Sequence, residues 1–187
     1  MHNVPMASSY LEMALGIPKI WGDIFGVALF SVALGIGRTL YAEKGKNIEK
    51  ILFLGAIGAF VCYIVAALSP FPFIGLLACA FTGFCVSMLW PGSLIAASAR
   101  IPQAGVFLYA MMAAGGDFGA SVGPQLVGII TDGTIGLPAA VSLAQTLGIS
   151  VDQLGIKAGM LIGAVFPLVA IAVFGKIKKM RITGENN

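Results

Sequence analysis

The sequence predicts an all-α membrane protein: one transmembrane domain of five crossing helices, with part of another helix before them. Three observations predict it. The 187-residue chain is 58% hydrophobic and only 10% charged, with a mean hydropathy of +0.96, whereas soluble domains are ~45–50% apolar and ~25% charged. Five long apolar runs are separated by short stretches of turn chemistry. The basic residues, counted connection by connection, gather on one side of the resulting layout.

The same composition excludes other classes. Too few charges are present to coat a water-soluble globule, and disorder requires low hydrophobicity. The net charge of +3, with no basic face, argues against nucleic acid as a partner. Cys62, Cys79 and Cys85 fall inside apolar runs without metal or disulfide spacing and read as small packing residues. The single histidine, His2, is terminal. Neither a metal nor a cofactor is expected, and no basic leader precedes the first apolar stretch as a cleavable signal would require.

The elements follow in order. Residues 6–15 read as the outer end of a helix too short to cross, which makes the chain a fragment lacking earlier helices; an interfacial helix is the alternative. The spans are placed at 20–39, 51–69, 73–97, 106–130 and 158–175, each near the ~20 residues a bilayer needs. The charged cluster 43–50, with Gly45 and Asn47, separates the first two. Ser69-Pro70-Phe71-Pro72 makes a tight, donor-poor turn. Arg100-Ile101-Pro102-Gln103 makes the next. A longer polar loop covers 131–157, with a short surface helix at 138–147 that has proline at its start and Gly148 past its end. Residues 176–187 form a basic tail.

Charge tests this layout without having built it. Arg38, Lys44, Lys46, Lys50, Arg100, Lys176, Lys178, Lys179 and Arg181 fall on one side, and Lys19 and Lys157 on the other: 9 against 2 of the 11 basic residues. Cytoplasmic connections are the Lys- and Arg-rich ones. The expected location is therefore a bacterial inner membrane, with the C-terminus in the cytoplasm and 131–157 outside.

Polarity sorts the spans. The second and fifth carry no ionisable residue and read as peripheral, lipid-facing helices. The first carries Asp23, the third Trp90-Pro91-Gly92, and the fourth Asp117. In the fourth span, Gly115, Gly119 and Gly123 recur every four residues, a small-residue stripe for close helix packing. At ~100° per residue, Asp117 points roughly 160° from that stripe and Ser121 lies ~40° from Asp117. Ala110 and Ala113 share that side. Pro124 ends the angle counting, and Gln125 beyond it is a further candidate for the polar face. A mid-membrane carboxylate costs ~2.5–3.5 kcal/mol on insertion scales and persists where it meets water, a partner or a proton path. Asp117 thus reads as a proton carrier or solute ligand, against the blander role of pinning helix packing. Asp23 lies about a turn inside its boundary, where solvation alone would explain it. In the third span Gly75, Cys79, Gly83 and Ser87 form another stripe. Pro91 is expected to kink the helix, with Trp90 either a stacking wall for solute or an interfacial aromatic.

These residues resemble the C-terminal half of a major facilitator superfamily transporter, its eighth to twelfth helices, over nearly the whole chain. Three stretches carry the likeness. Gly35-Ile36-Gly37-Arg38-Thr39-Leu40-Tyr41 with Lys44-Gly45-Lys46 is similar to the helix and basic loop of the superfamily's cytoplasmic motif. Met88-Leu89-Trp90-Pro91-Gly92 is the second. Gly115-Gly116-Asp117-Phe118-Gly119 leading to Gly123-Pro124 is the third, similar to the superfamily's Gly-x-x-x-Gly-Pro helix. A sugar- or fucose-permease-like branch is the nearest likeness. The loop departs from the motif, carrying Ala42-Glu43-Lys44 where an Asp-Arg pair stands before the second glycine. The resemblance implies secondary active transport of a small polar solute, sugar-like and proton- or ion-coupled. It implies a path lined by Asp117, Ser121, Gln125, Trp90 and Asp23, and a cytoplasmic gate at Arg38, Lys44 and Lys46. It also implies rocking of two halves about a midplane site, so the chain needs its missing N-terminal half or a second copy.

Two other classes compete. A non-transporting membrane interaction module, or truncated gene product, would use the glycine stripes alone. An intramembrane aspartyl protease would pair Asp23 with Asp117. A proton-sharing dyad needs matched depth, and these two lie ~5 Å and ~15–20 Å from the outer edge at ~1.5 Å per residue. No hydrolase motif is present, so no enzyme is expected.

Overall fold

The computed structural model describes residues 19–45 and 47–184. The part-helix predicted at 6–15 and Lys46 lie outside them. Among the described residues the chain is all helical, without strands, and four helical stretches are long and apolar enough to cross a membrane: Ile48–Leu68, Phe73–Arg100, Pro102–Ile135 and Val151–Lys179. The predicted first span is also helical, as α1 (Lys19–Lys44), though it is not among those four.

Helix α2 (Ile48–Leu68) starts where the Asn47 side chain accepts a hydrogen bond from the Lys50 amide at 3.3 Å, satisfying one of the four amides a helix start leaves open. It ends at Ser69, before Pro70. The Ser69 hydroxyl accepts the Phe71 amide at 3.2 Å across the turn, and Pro72 opens α3 (Pro72–Val86).

The third span breaks at 87–88 and resumes as α4 (Leu89–Arg100). Pro91 explains the break. It has no amide to donate to the carbonyl four residues earlier, that of Ser87, and its ring crowds that turn. A short 3₁₀ turn (Pro102–Ala104) and Gly105, at φ +51, lead into α5 (Gly105–Ile135), 31 residues long with Pro124 inside.

The predicted polar loop at 131–157 is instead mostly helix. α5 runs on to Ile135, α6 occupies Pro138–Leu147 as the sequence suggests, and α7 (Val151–Gly163) begins well inside the expected loop. Gly148, at φ +66, ends α6. Its amide bonds the Gln145 carbonyl, and the Ile149 amide bonds that of Ala144, a Schellman stop. A capping box starts α7, with Ser150 and Gln153 each bonding the other's backbone amide. Pro167 interrupts the fifth span as Pro91 does the third: α7 ends at Gly163, four residues before it, and α8 (Val165–Gly184) follows.

Helix α2 is the hub, because α3, α4, α7 and α8 all pack on it. This corrects the expectation of a peripheral second span. Leu52, Ala56, Ala59, Cys62, Ala66 and Ala67 are buried, while Leu54, Val61, Val65 and Leu68 are exposed. Both faces are apolar, so polarity alone does not separate them. Apart from Leu52, the buried apolar residues are small, and small residues let helices approach inside a bilayer.

The ends of the helices are fastened by charge. The Arg100 guanidinium bonds Glu49 Oε1 at 2.6 Å and the Ile177 carbonyl at 3.2 Å, and Lys178 stands 5.1 Å from the Phe53 ring centre. At the other end, Lys157 Nζ donates to the Ser69 carbonyl at 2.8 Å. The starts of α2 and ends of α4 and α8 thus share one end of the bundle.

Candidate functional site

Two polar features lie along the spans, and the structure keeps them apart. The first is at the α3–α4 break. The Ser87 carbonyl that Pro91 leaves unbonded accepts the Arg38 Nε–H at 3.2 Å. Gly37 makes this approach feasible, since a methyl group there would collide with the Ser87 side chain. Arg38, expected at a cytoplasmic gate, therefore closes a proline-freed backbone group between α1 and α3. The position four residues before Pro91 was the sequence signal for this.

The second is on α5. The Trp90 ring lies against Gly116, where an added methyl group would come within 2.6 Å of ring carbons. This is the residue before Asp117. Trp90 remains 46% exposed, with the outer edge of its six-membered ring against α5. Asp117 is exposed, and its carboxylate meets no partner among the described residues. The Ser121 hydroxyl donates to the Asp117 backbone carbonyl at 2.8 Å, which spends its hydrogen on its own helix. Gln125 is exposed on the same helix.

The stripe Gly115, Gly119, Gly123 does not do the packing expected of it. Nothing described lies within 4 Å of a methyl group placed at Gly115 or Gly119, and Gly123 meets only the Phe166 ring at 3.9 Å. No residue of the most apolar stretch of this span is buried. The physical reason is that α5 meets the α7 glycines through Val127, Thr131 and Ile135, toward its C-terminal end, while nearer its start Gly116 meets Trp90 of α4. The stripe that does pack is Gly155, Gly159 and Gly163 on α7, against Val127, Thr131 and Ile135 of α5 and Tyr63 of α2. Its four-residue spacing is legible in the sequence. Reading 131–157 as a loop concealed it.

Asp23 falls on α1, with its side chain outside the described set. Among the described residues α1 and α5 do not pack on each other. Lys44 ends α1 and is exposed. Among the described residues, no three His, Cys, Asp or Glu side chains cluster closely enough to hold a metal ion.

The arrangement therefore offers an exposed acid on α5 that meets no described partner, and a partly exposed indole from α4 against the residue before it. Comparison of the chain with protein-family models, with curated proteins and with solved structures finds no match.

Proposed function

We propose that the chain is the C-terminal half of a secondary active transporter of the major facilitator type, in a bacterial inner membrane with its C-terminus in the cytoplasm. The observation that carries the reading is Asp117: an unpartnered carboxylate on an apolar crossing helix, on a face left open. Such a group is kept in a membrane where it meets water or a partner. A complementary half-bundle, from the N-terminal half or a second copy, would line a wet path against that face. Asp117 would take up a proton from outside and release it inside. Trp90 offers an aromatic wall suited to the ring of a sugar-like solute. All five predicted spans would then cross, α1 included.

One observation favours a second reading, a membrane interaction module. Bare Gly115 and Gly119 form a docking stripe for a helix of another protein, on the side of α5 roughly opposite Asp117.

Two measurements separate the readings. In membrane vesicles carrying the protein, gradient-driven uptake of a panel of radiolabelled monosaccharides is expected, and Asp117→Asn should abolish accumulation. With Cys62, Cys79 and Cys85 replaced, Ser121→Cys should react with a membrane-impermeant thiol reagent and be protected by the transported sugar. An unreactive Cys at 121, together with no uptake of any sugar, would sink the transport reading in favour of the interaction module.

A further inference from the structure

Helices α1 and α2 follow one another across a short connection, yet they do not pack on each other. Both pack on α3 instead. Close approaches hold them there: Gly37 against Ser87 and Gly83 against Phe30 on the α1 side, and Gly55 and Gly58 against Cys85 on the α2 side. The result is a slot of about 440 Å³, floored by α3 and walled by α1 and α2. Its volume lies within the ~300–1,000 Å³ of ordinary ligand sites and is comparable to that of a single long acyl chain.

The lining is almost wholly hydrocarbon and aromatic. Its polar side chains are Tyr41, Lys44 and Ser87. Tyr41 and Lys44 gather at the end nearest the α1–α2 connection, and Ser87 is buried in the floor. Lys44 and, past the connection, Lys50 are exposed, and neither side chain has an ion-pair partner among the described residues. Of the two acids nearby, Glu49 is held by Arg100, and Glu43 is exposed one residue before Lys44. The slot is thus greasy along its length, with the Tyr41 phenol and the Lys44 ammonium in its lining at one end.

We infer that this slot holds one acyl chain of an anionic phospholipid, with the lipid phosphate at Lys44 and Lys50. The apolar lining suits a hydrocarbon chain. Basic side chains at the membrane surface attract anionic headgroups, and this end belongs to the side on which the sequence collects its basic residues. The inference needs the chain to lie in a bilayer and does not depend on transport.

Native mass spectrometry of the purified full chain, with equimolar phosphatidylglycerol and phosphatidylcholine of identical acyl chains, tests both parts. Wild type should retain phosphatidylglycerol preferentially. Lys44→Gln with Lys50→Gln should lower that preference at least about fivefold. Leu40→Trp, at an exposed wall position, should reduce retention of both lipids, while Leu168→Trp, exposed on α8, should leave retention at the wild-type level. Thermal unfolding in detergent confirms that each variant is folded. Equal retention of the two lipids by wild type would overturn the inference, as would an unchanged preference in the double variant. Wild-type retention by Leu40→Trp would overturn it too, since headgroup attraction alone would then account for the binding.

Discussion

Two helices of this chain carry glycine at every fourth position, three times over, and only one of them uses it. On α7, a methyl group at Gly155, Gly159 or Gly163 would run into Ile135, Thr131 or Tyr63. On α5, Gly115 and Gly119 have open space in front of them. The spacing is the same and the energetics are not. A small-residue stripe permits close approach but supplies no attraction of its own; the packing gain comes from whatever the neighbour presents. Val127, Thr131 and Ile135 recur at the same interval on α5 and fill the α7 stripe. Nothing described fills the α5 stripe.

The largest effect is expected at Gly159. Its Cα faces the Thr131 hydroxyl and the Val127 backbone, and backbone cannot rotate away as a side-chain end can. Gly159→Leu should separate α5 from α7 at a cost of about 3 kcal/mol, the upper part of the range for overpacking a close contact. Reversible unfolding in mixed detergent micelles measures it. A loss under about 1 kcal/mol would mean that the two stripes differ less than their surroundings indicate.

The contrast also shows which parts of the structure could be read in advance. The surface helix at Pro138–Leu147 was legible to the residue, because proline, a run of good helix formers and Gly148 are local signals. So were the turns at Ser69 and Pro102. The α7 stripe was not, because Asp152, Gln153 and Lys157 made its first turns look like solvent, although Ser150 and Gln153 spell a capping box. The role of α2 was hidden for another reason. Its two faces are both apolar, and only the gathering of alanines on one of them, around Leu52, marks the packed side. Asp117 was found by its cost in a membrane. That Gly116, rather than Gly115 or Gly119, takes the Trp90 ring depends on how α4 leaves the Pro91 break, which no periodicity reports.

A middle effect is expected at the α1–α3 seam, where glycine contact is joined by one polar bond. Arg38→Met keeps much of the side chain's bulk and removes the donor to the Ser87 carbonyl. An interhelical hydrogen bond in a membrane is worth about 0.6–2 kcal/mol, and the carbonyl would have no helical amide to turn to, because Pro91 has none. Lysine at the same position retains a donor and should recover part of the loss. If Arg38→Met unfolds like wild type, Gly37 and Gly83 hold the seam without it.

The smallest effect is the most informative. Gly119→Leu meets nothing within this chain, and it replaces a poor helix former with a good one. In detergent, with the chain alone, stability should stay within about 0.5 kcal/mol of wild type, as for other uncovered positions. In the native membrane the outcome depends on what lies against α5. A half-bundle or partner helix that approaches through the stripe would be pushed off by leucine, so a variant as stable as wild type in micelles should lose assembly in vesicles, measured by chemical cross-linking. Equal behaviour in both media would mean that the α5 stripe faces lipid alone, and would leave any partner or water-filled path to the Asp117 side of the helix, roughly 160° around from the stripe.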